Sequence, residues 1–315
     1  GDDTGFDAIG DAAREVGIRL HLSRGSMDLG ESMGGLPPDH GVEDRDAILA
    51  STESVIARHH DGEMVHVTVA PCSPFSVTPE LMVESAELAR RHGLRLHTHL
   101  CETVEEQEHC LERFGRRPVE MLDEWGWLGD DVWLAHGIHI DDDEMARLGS
   151  AGTGVAPCPS SNARLAAGMC RVTDLRAAGC PVGLGVDGVA SNEGGGLFAE
   201  MRQALYTARL RELRPDALMP ADVVEMGTLG GARCLGMDDV GSMEVGMRAD
   251  LAVWPGDDLG DMVDALTALV LGPDRRVRHL FVEGRTVVAD GEVAGTDLAA
   301  AHRDLAARSR LLWEA

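Results

Sequence analysis

Three short stretches of this chain carry side chains able to do chemistry together. The first is His97-Thr98-His99, at the end of an apolar run, with Glu102 three residues further on. In a strand, residues i and i+2 share a face, so both imidazoles point the same way. A histidine that can hold a divalent metal, beside a carboxyl group that can move protons, is what metal-assisted hydrolysis needs. We read His99 as the ligand and His97, deeper in the strand, as a hydrogen-bonded core histidine. The second stretch, His136-Gly137-Ile138-His139, ends the next strand. His136 can donate to an oxygen that gains charge during attack, whereas His139 sits at a helix start and is read as structural. The third is Gly183-Leu184-Gly185-Val186-Asp187-Gly188. A lone acid ending an apolar strand costs desolvation free energy. Asp187 is therefore read as functional, binding the metal and accepting a proton from its water. The histidines at 59, 60, 66, 92, 109, 279 and 302 carry no such pattern.

These residues need a frame that brings distant strand ends together. The chain alternates strand and helix. Strands are predicted over Ile18–Leu22, Val65–Ala70, Leu94–Leu100, Val132–Ala135, Gly154–Ala156 and Pro181–Val186. Helices are predicted over Asp7–Val16, Val42–His60, Pro79–His92, from Leu100 to about Trp125, from Asp141, over Leu197–Leu213 and over Pro220–Leu235. Such alternation implies a parallel sheet covered by helices. No G-x-G-x-x-G follows the first strand, so a dinucleotide fold has no support. A (β/α) barrel remains, with its chemistry at the C-terminal strand ends. Arg24, Cys72, His99, His136 and Asp187 all fall there. After residue 240 the texture changes to short strands around a Gly284-Arg285 hairpin, followed by a helix over Asp297–Trp313. We expect a barrel over 1–238, part of a β-sandwich over 239–295 and a C-terminal helix over 296–315.

Composition narrows the partners. The chain has 315 residues, 44% of them hydrophobic, and 54 acidic against 28 basic residues for a net charge of −26. Such a surface repels phosphate, and only five Phe, five Trp and one Tyr could stack on bases, so nucleic acid is not expected. All basic residues are arginine, which removes Schiff-base lysine chemistry and a P-loop lysine. No apolar run of membrane-spanning length occurs, and Gly1-Asp2-Asp3-Thr4-Gly5 does not read as a leader. Seven cysteines without a C-x-x-C pair read as reduced thiols, which places the protein in the cytoplasm. A cytidine-deaminase-type zinc site needs P-C-x-x-C, and a nucleophile elbow needs G-x-S-x-G. Neither motif is present.

The combination of Leu96-His97-Thr98-His99-Leu100-Cys101-Glu102, Leu134-Ala135-His136-Gly137, Cys158-Pro159-Ser160-Ser161-Asn162 and Gly185-Val186-Asp187-Gly188-Val189-Ala190-Ser191-Asn192 resembles the amidohydrolase superfamily. It is closest to the cytosine-deaminase-like and triazine-hydrolase-like branch. The segment Gly241–Leu251 resembles the turn where these enzymes re-enter their β-sandwich. A narrower likeness, over Ser23–Ser32, Gly34–Asp39 and Ala70–Phe75, is to 8-oxoguanine deaminases.

The resemblance implies an α/β fold of the (β/α)8 TIM-barrel, metal-dependent hydrolase type. It implies one divalent metal, zinc or else Fe2+, held by His99 and Asp187 with a first-strand His-x-His pair. In the implied mechanism Asp187 takes a proton from water, Glu102 protonates the ring nitrogen beside the amino-bearing carbon, and His136 steadies the attacking oxygen. Arg24 either hydrogen-bonds a substrate carbonyl or forms a loop ion pair. Cys72 either lines the pocket or is a packed thiol. The implied partner is a small purine-like molecule, and a homo-oligomer is expected. No first-strand His-x-His is visible, since His21 stands alone. Counting back from Asp187 makes the visible strands the third to eighth, an expectation of roughly one hundred missing residues. The favoured reaction is hydrolysis of 8-oxoguanine to urate and ammonia. An s-triazine or another aminopurine or aminopyrimidine is the alternative substrate. A catalytically incomplete fragment or binding module is the alternative class.

Overall fold

The computed structural model describes residues 4–256 and 264–314. The start of the N-terminal stretch read for a leader, and residues 257–263 of the expected sandwich part, lie outside them. Helix α1 (Thr4–Val16) ends at Gly17, whose φ of 81° suits a residue without a Cβ. Strand β1 (Leu20–Ser26) leads to α2 (Arg45–His59), N-capped by Asp44, which accepts from the Ala47 N–H. Then follow β2 (Val65–Pro71), α3 (Pro79–Arg91) and β3 (Arg95–Leu100). The helical sequence after β3 is two helices, α4 (Val104–Phe114) and α5 (Pro118–Glu124), because Gly115 turns left-handed and closes the first. Next come β4 (Val132–His136), α6 (Asp142–Ala151) and β5 (Gly154–Ala156).

Strands β1 to β5 form one parallel sheet in chain order. The sheet is of the TIM-barrel type, and its alternation decides the core. Leu22, Val67, Val69, Leu96, Leu134 and Val155 point to the helical layer and are fully buried with Leu81, Leu88, Leu122 and Leu148 of the helices. Removing one such leucine side chain typically costs about 2–5 kcal/mol. The opposite face carries polar and aromatic groups, among them His97, His99 and Trp133.

The expected strand Pro181–Val186 needs correction. It makes a single bridge, Val155 to Val182. Backbone bonds still run alongside β5, from Val155 N–H to the Pro181 carbonyl (2.8 Å), Gly183 N–H to Val155 (2.9 Å) and Gly185 N–H to Pro157 (2.9 Å). Two glycines weaken its strand character. They are also required: a Cβ on Gly185 would strike the Cys158 sulfur, and the nearest neighbour of Gly183 is the Gly231 backbone.

Sequence reading missed two short helices before and after Ala166, α7 (Pro159–Arg164) and α8 (Val172–Ala177). Helix α9 (Leu197–Glu212) follows the Asp187 loop. The segment 220–234 is α10 (Pro220–Glu225), a π turn over Met226–Gly230 and α11 (Gly231–Cys234). A second, antiparallel sheet holds β6 (Leu251–Val253), β7 (His279–Val282), β8 (Arg285–Ala289) and β9 (Glu292–Val293). Helix α12 (Ala265–Leu271) precedes β7, and α13 (Leu298–Glu314) ends the described chain. Arg19, just before β1, joins the two sheets through ion pairs to Asp250 (2.5 Å) and Glu283.

Candidate active site

The C-terminal ends of β3, β4 and the 181–186 segment bring His99, His136 and Asp187 into one group. Each offers a ligand atom, and these atoms all lie within 4.8 Å of one another. The register sets His99 opposite Ala135 and Leu100 opposite His136, so the two imidazoles leave adjacent strands one residue apart. Their ring centres are 5.6 Å apart. Three residues at these strand ends adopt left-handed backbone: Cys101 (φ 54°), His136 (φ 68°) and Asp187 (φ 63°). Such conformations cost free energy in non-glycine residues and concentrate where function needs them.

Each ring is held by a partner that only accepts or is placed to accept. His99 Nδ1–H donates to the Cys72 carbonyl at 2.7 Å. His136 Nδ1–H donates to Asn162 Oδ1 at 2.9 Å. Both bonds turn Nε2 toward the group as the free nitrogen, the arrangement metal-binding histidines adopt. Asp187 Oδ2 accepts from Ser161 Oγ (2.5 Å) and Ser191 Oγ (3.1 Å), and Oδ1 from the Gly188 N–H (2.7 Å). Burial opposes ionisation of Asp187, but the Ser161 bond leads several that outweigh it, and its pKa lies below the ordinary carboxylate value. Two imidazoles and an ionised carboxylate suit zinc or ferrous iron.

Glu102 lies beside this group, its Oε2 3.7 Å from His136 Nε2. Its loop is held by Glu106, a buried residue that sequence reading missed. The Glu106 carboxylate accepts from the Cys101 and Glu102 N–H groups at 2.8 and 2.9 Å. Burial raises its pKa to about 7 against those bonds. The signal was present in Thr103-x-x-Glu106, the S/T-x-x-E pattern of a helix start.

Cys72 follows β2, and its sulfur lies 4.0 Å from His99 Nδ1. Burial would raise its thiol pKa, but the contact with His99 outweighs it and the value is lowered. For His99 burial likewise favours the neutral ring, yet Cys72 leads the groups that raise its pKa to about 9. His97 stays in the core, stacked on Trp133 at 3.5 Å, and burial depresses its pKa to about 3. His139 donates to the Ala167 carbonyl at 2.9 Å.

Arg24 is not brought to the group. It points to the helical side of β1, where its guanidinium holds both oxygens of Glu43 at 3.0 Å and bonds Ser51 Oγ. Of the two readings open for Arg24, the structure shows the ion pair.

This fold and this cluster are accompanied by a family match. The chain belongs to the amidohydrolase family, which matches residues 1–287. It is therefore built as a hydrolase acting on carbon–nitrogen bonds. Among curated relatives it is 50% identical to the 8-oxoguanine deaminase of Pseudomonas aeruginosa, covering 94% of this chain and 67% of that protein. It is 39% identical to an isoxanthopterin deaminase of an unknown prokaryotic organism, covering 91% and 64%. Among solved structures, atrazine chlorohydrolase TrzN from Arthrobacter aurescens TC1 complexed with zinc superposes with a TM-score of 0.92 at 32% identity, covering 96% of this chain and 68% of that one. The chain thus spans about two thirds of the length of the proteins it matches.

Proposed function

We propose that the protein is a metal-dependent deaminase that converts 8-oxoguanine and water to urate and ammonia. The observation that carries this reading is the convergence of His99, His136 and Asp187, with Glu102 beside them, in a chain half identical to an 8-oxoguanine deaminase. His99 and Asp187 would hold the divalent metal, zinc in the first instance. When bound, such an ion makes hydroxide available from water near neutral pH.

The chain's own residues do the rest. The Asp187 carboxylate takes the proton of the attacking water. Glu102 delivers a proton to the ring nitrogen next to the amino-bearing carbon as the oxygen–carbon bond forms. His136, its ring held through Nδ1–H on Asn162, steadies the attacking oxygen as it gains charge. The carbon–nitrogen bond then breaks, and ammonia leaves with a proton returned through the two carboxyl groups. Cys72 lines the wall beside His99.

The same reading takes 1–238 as the barrel part, 239–295 as sandwich and 296–315 as a terminal helix, in a cytoplasmic homo-oligomer. Among the described residues no helix is long and apolar enough to cross a membrane. Ammonia release measured with 8-oxoguanine, isocytosine, guanine and a hydroxytriazine tests the assignment. The highest kcat/KM is expected with 8-oxoguanine. Turnover of the triazine alone, the reading favoured by the fold of the atrazine enzyme, would replace it, and no turnover of any oxopurine would sink it.

A further inference from the structure

Glu200 lies in the first turn of α9 and is fully buried, with 0% exposure. A carboxylate is expensive to bury, and this one is satisfied by neutral donors. Oε2 accepts from the Ser160 N–H at 2.9 Å, and Oε1 from Asn192 Nδ2 at 2.8 Å. Those two donors belong to the two loops that hold the site. Ser160 is the second residue of α7, and the next residues are Ser161, which bonds Asp187, and Asn162, which bonds His136. Asn192 Nδ2 also donates to the Val186 carbonyl at 2.8 Å, one residue before Asp187. One carboxylate therefore ties the loop that orients His136 to the loop that carries Asp187. It does so where both residues keep left-handed backbone.

We infer that Glu200 is a positioning residue, which sets the mutual geometry of His136 and Asp187 through Ser160 and Asn192. The inference rests on the proposed role of those two residues, but its first readouts do not need turnover. Glu200→Gln places an N–H against either the Ser160 N–H or the Asn192 amide, so one tether is lost. Asn192→Ala cuts the Asp187 side alone and removes no buried charge.

The full-length protein is compared with both variants by hydrogen exchange, by zinc competition against a chelator and by steady-state kinetics. Amides at 186–193 are expected to exchange faster in both variants, and those at 158–163 in Glu200→Gln, with the rest of the sheet unchanged. Zinc affinity is expected to fall about 10–100-fold and kcat with it, while KM stays within about threefold. The inference is overturned if both variants fold with local exchange and zinc affinity unchanged, or if only the melting temperature drops. Should Glu200→Gln not fold, Asn192→Ala decides by the same readouts. A protein that turns over no oxopurine, yet shows the local loosening, keeps this inference and loses the proposed function.

Discussion

Two histidine clusters occupy opposite ends of the same parallel sheet, and they differ in how their rings are held. At the C-terminal ends, His99 and His136 are each fixed through Nδ1 and share their space with Asp187 and Glu102. At the N-terminal ends, His21 and His66 stack at 4.7 Å, with His60 edge-on to His66 at 5.7 Å. Both nitrogens of His21 are buried without a hydrogen-bond partner. His60 accepts the Val67 N–H at its Nδ1. A cavity of about 300 Å³ opens beside them, lined by Arg95 as well. A count of imidazoles does not distinguish the two ends. What distinguishes them is a fixed free nitrogen, a neighbouring carboxylate and strand ends bent to aim both.

The two ends should respond differently to substitution. The largest effect is expected from Asp187→Ala, which removes a proton acceptor and a metal-binding oxygen together. We expect kcat for ammonia release to fall roughly 10³-fold or more, with zinc lost on dialysis. His21→Ala and His66→Ala should leave kcat within about threefold, and a comparable loss there would show that the N-terminal histidines also serve the reaction. Next in size is Asn162→Ala, which frees the His136 ring and leaves His99 and Asp187 with their partners. A loss of about 10–100-fold in kcat is expected, readable together with a changed pH profile.

Glu106→Gln tests the loop of Glu102. An amide can accept only one of the two N–H bonds, so the other is left facing a donor. A decrease of about tenfold in kcat is expected, with a destabilisation of about 1–3 kcal/mol in urea unfolding.

The smallest effect concerns pH. Burial, with the charge of His66 second, lowers the His21 pKa to about 4. The free side chain titrates near 6.5. The unfolded chain therefore takes up the proton first, so stability falls as pH drops from about 6.5 toward 4 and is untouched above that window. His21→Phe should remove about 1–3 kcal/mol of this acid sensitivity. Denaturant midpoints at pH 7 and pH 4.5 measure it, and an unchanged difference between the two would show that His21 does not titrate on unfolding.

Much of the frame was legible in sequence because its signals are local. The βα alternation, the helix that Pro79 opens and the period-2 pattern that puts His97 and His99 on one face all act within a few residues. The sixth strand was over-read, because an apolar Pro181–Val186 does not show that Gly231 will lie against Gly183 and Cys158 against Gly185. Arg24 shows the same limit. Its position at a strand end was visible, but its Glu43 partner on the helical side was not.

By itself the sequence determined which chemical groups this protein owns and the order of the strand ends that carry them. Local periodicity and solubility of side chains suffice for that. The sequence already pointed to His99 as the residue that reaches the group and to His97 as a core residue; only the tertiary structure decided that His97 is stacked on Trp133. It also decided that Ser161, Asn162, Glu106 and Glu200 stand behind the site. The physical reason is the reach of a hydrogen bond. Orientation depends on atoms about 3 Å apart, and the partners of His136 and Asp187 lie 26 residues away in the chain. No local pattern encodes that proximity until the sheet has assembled.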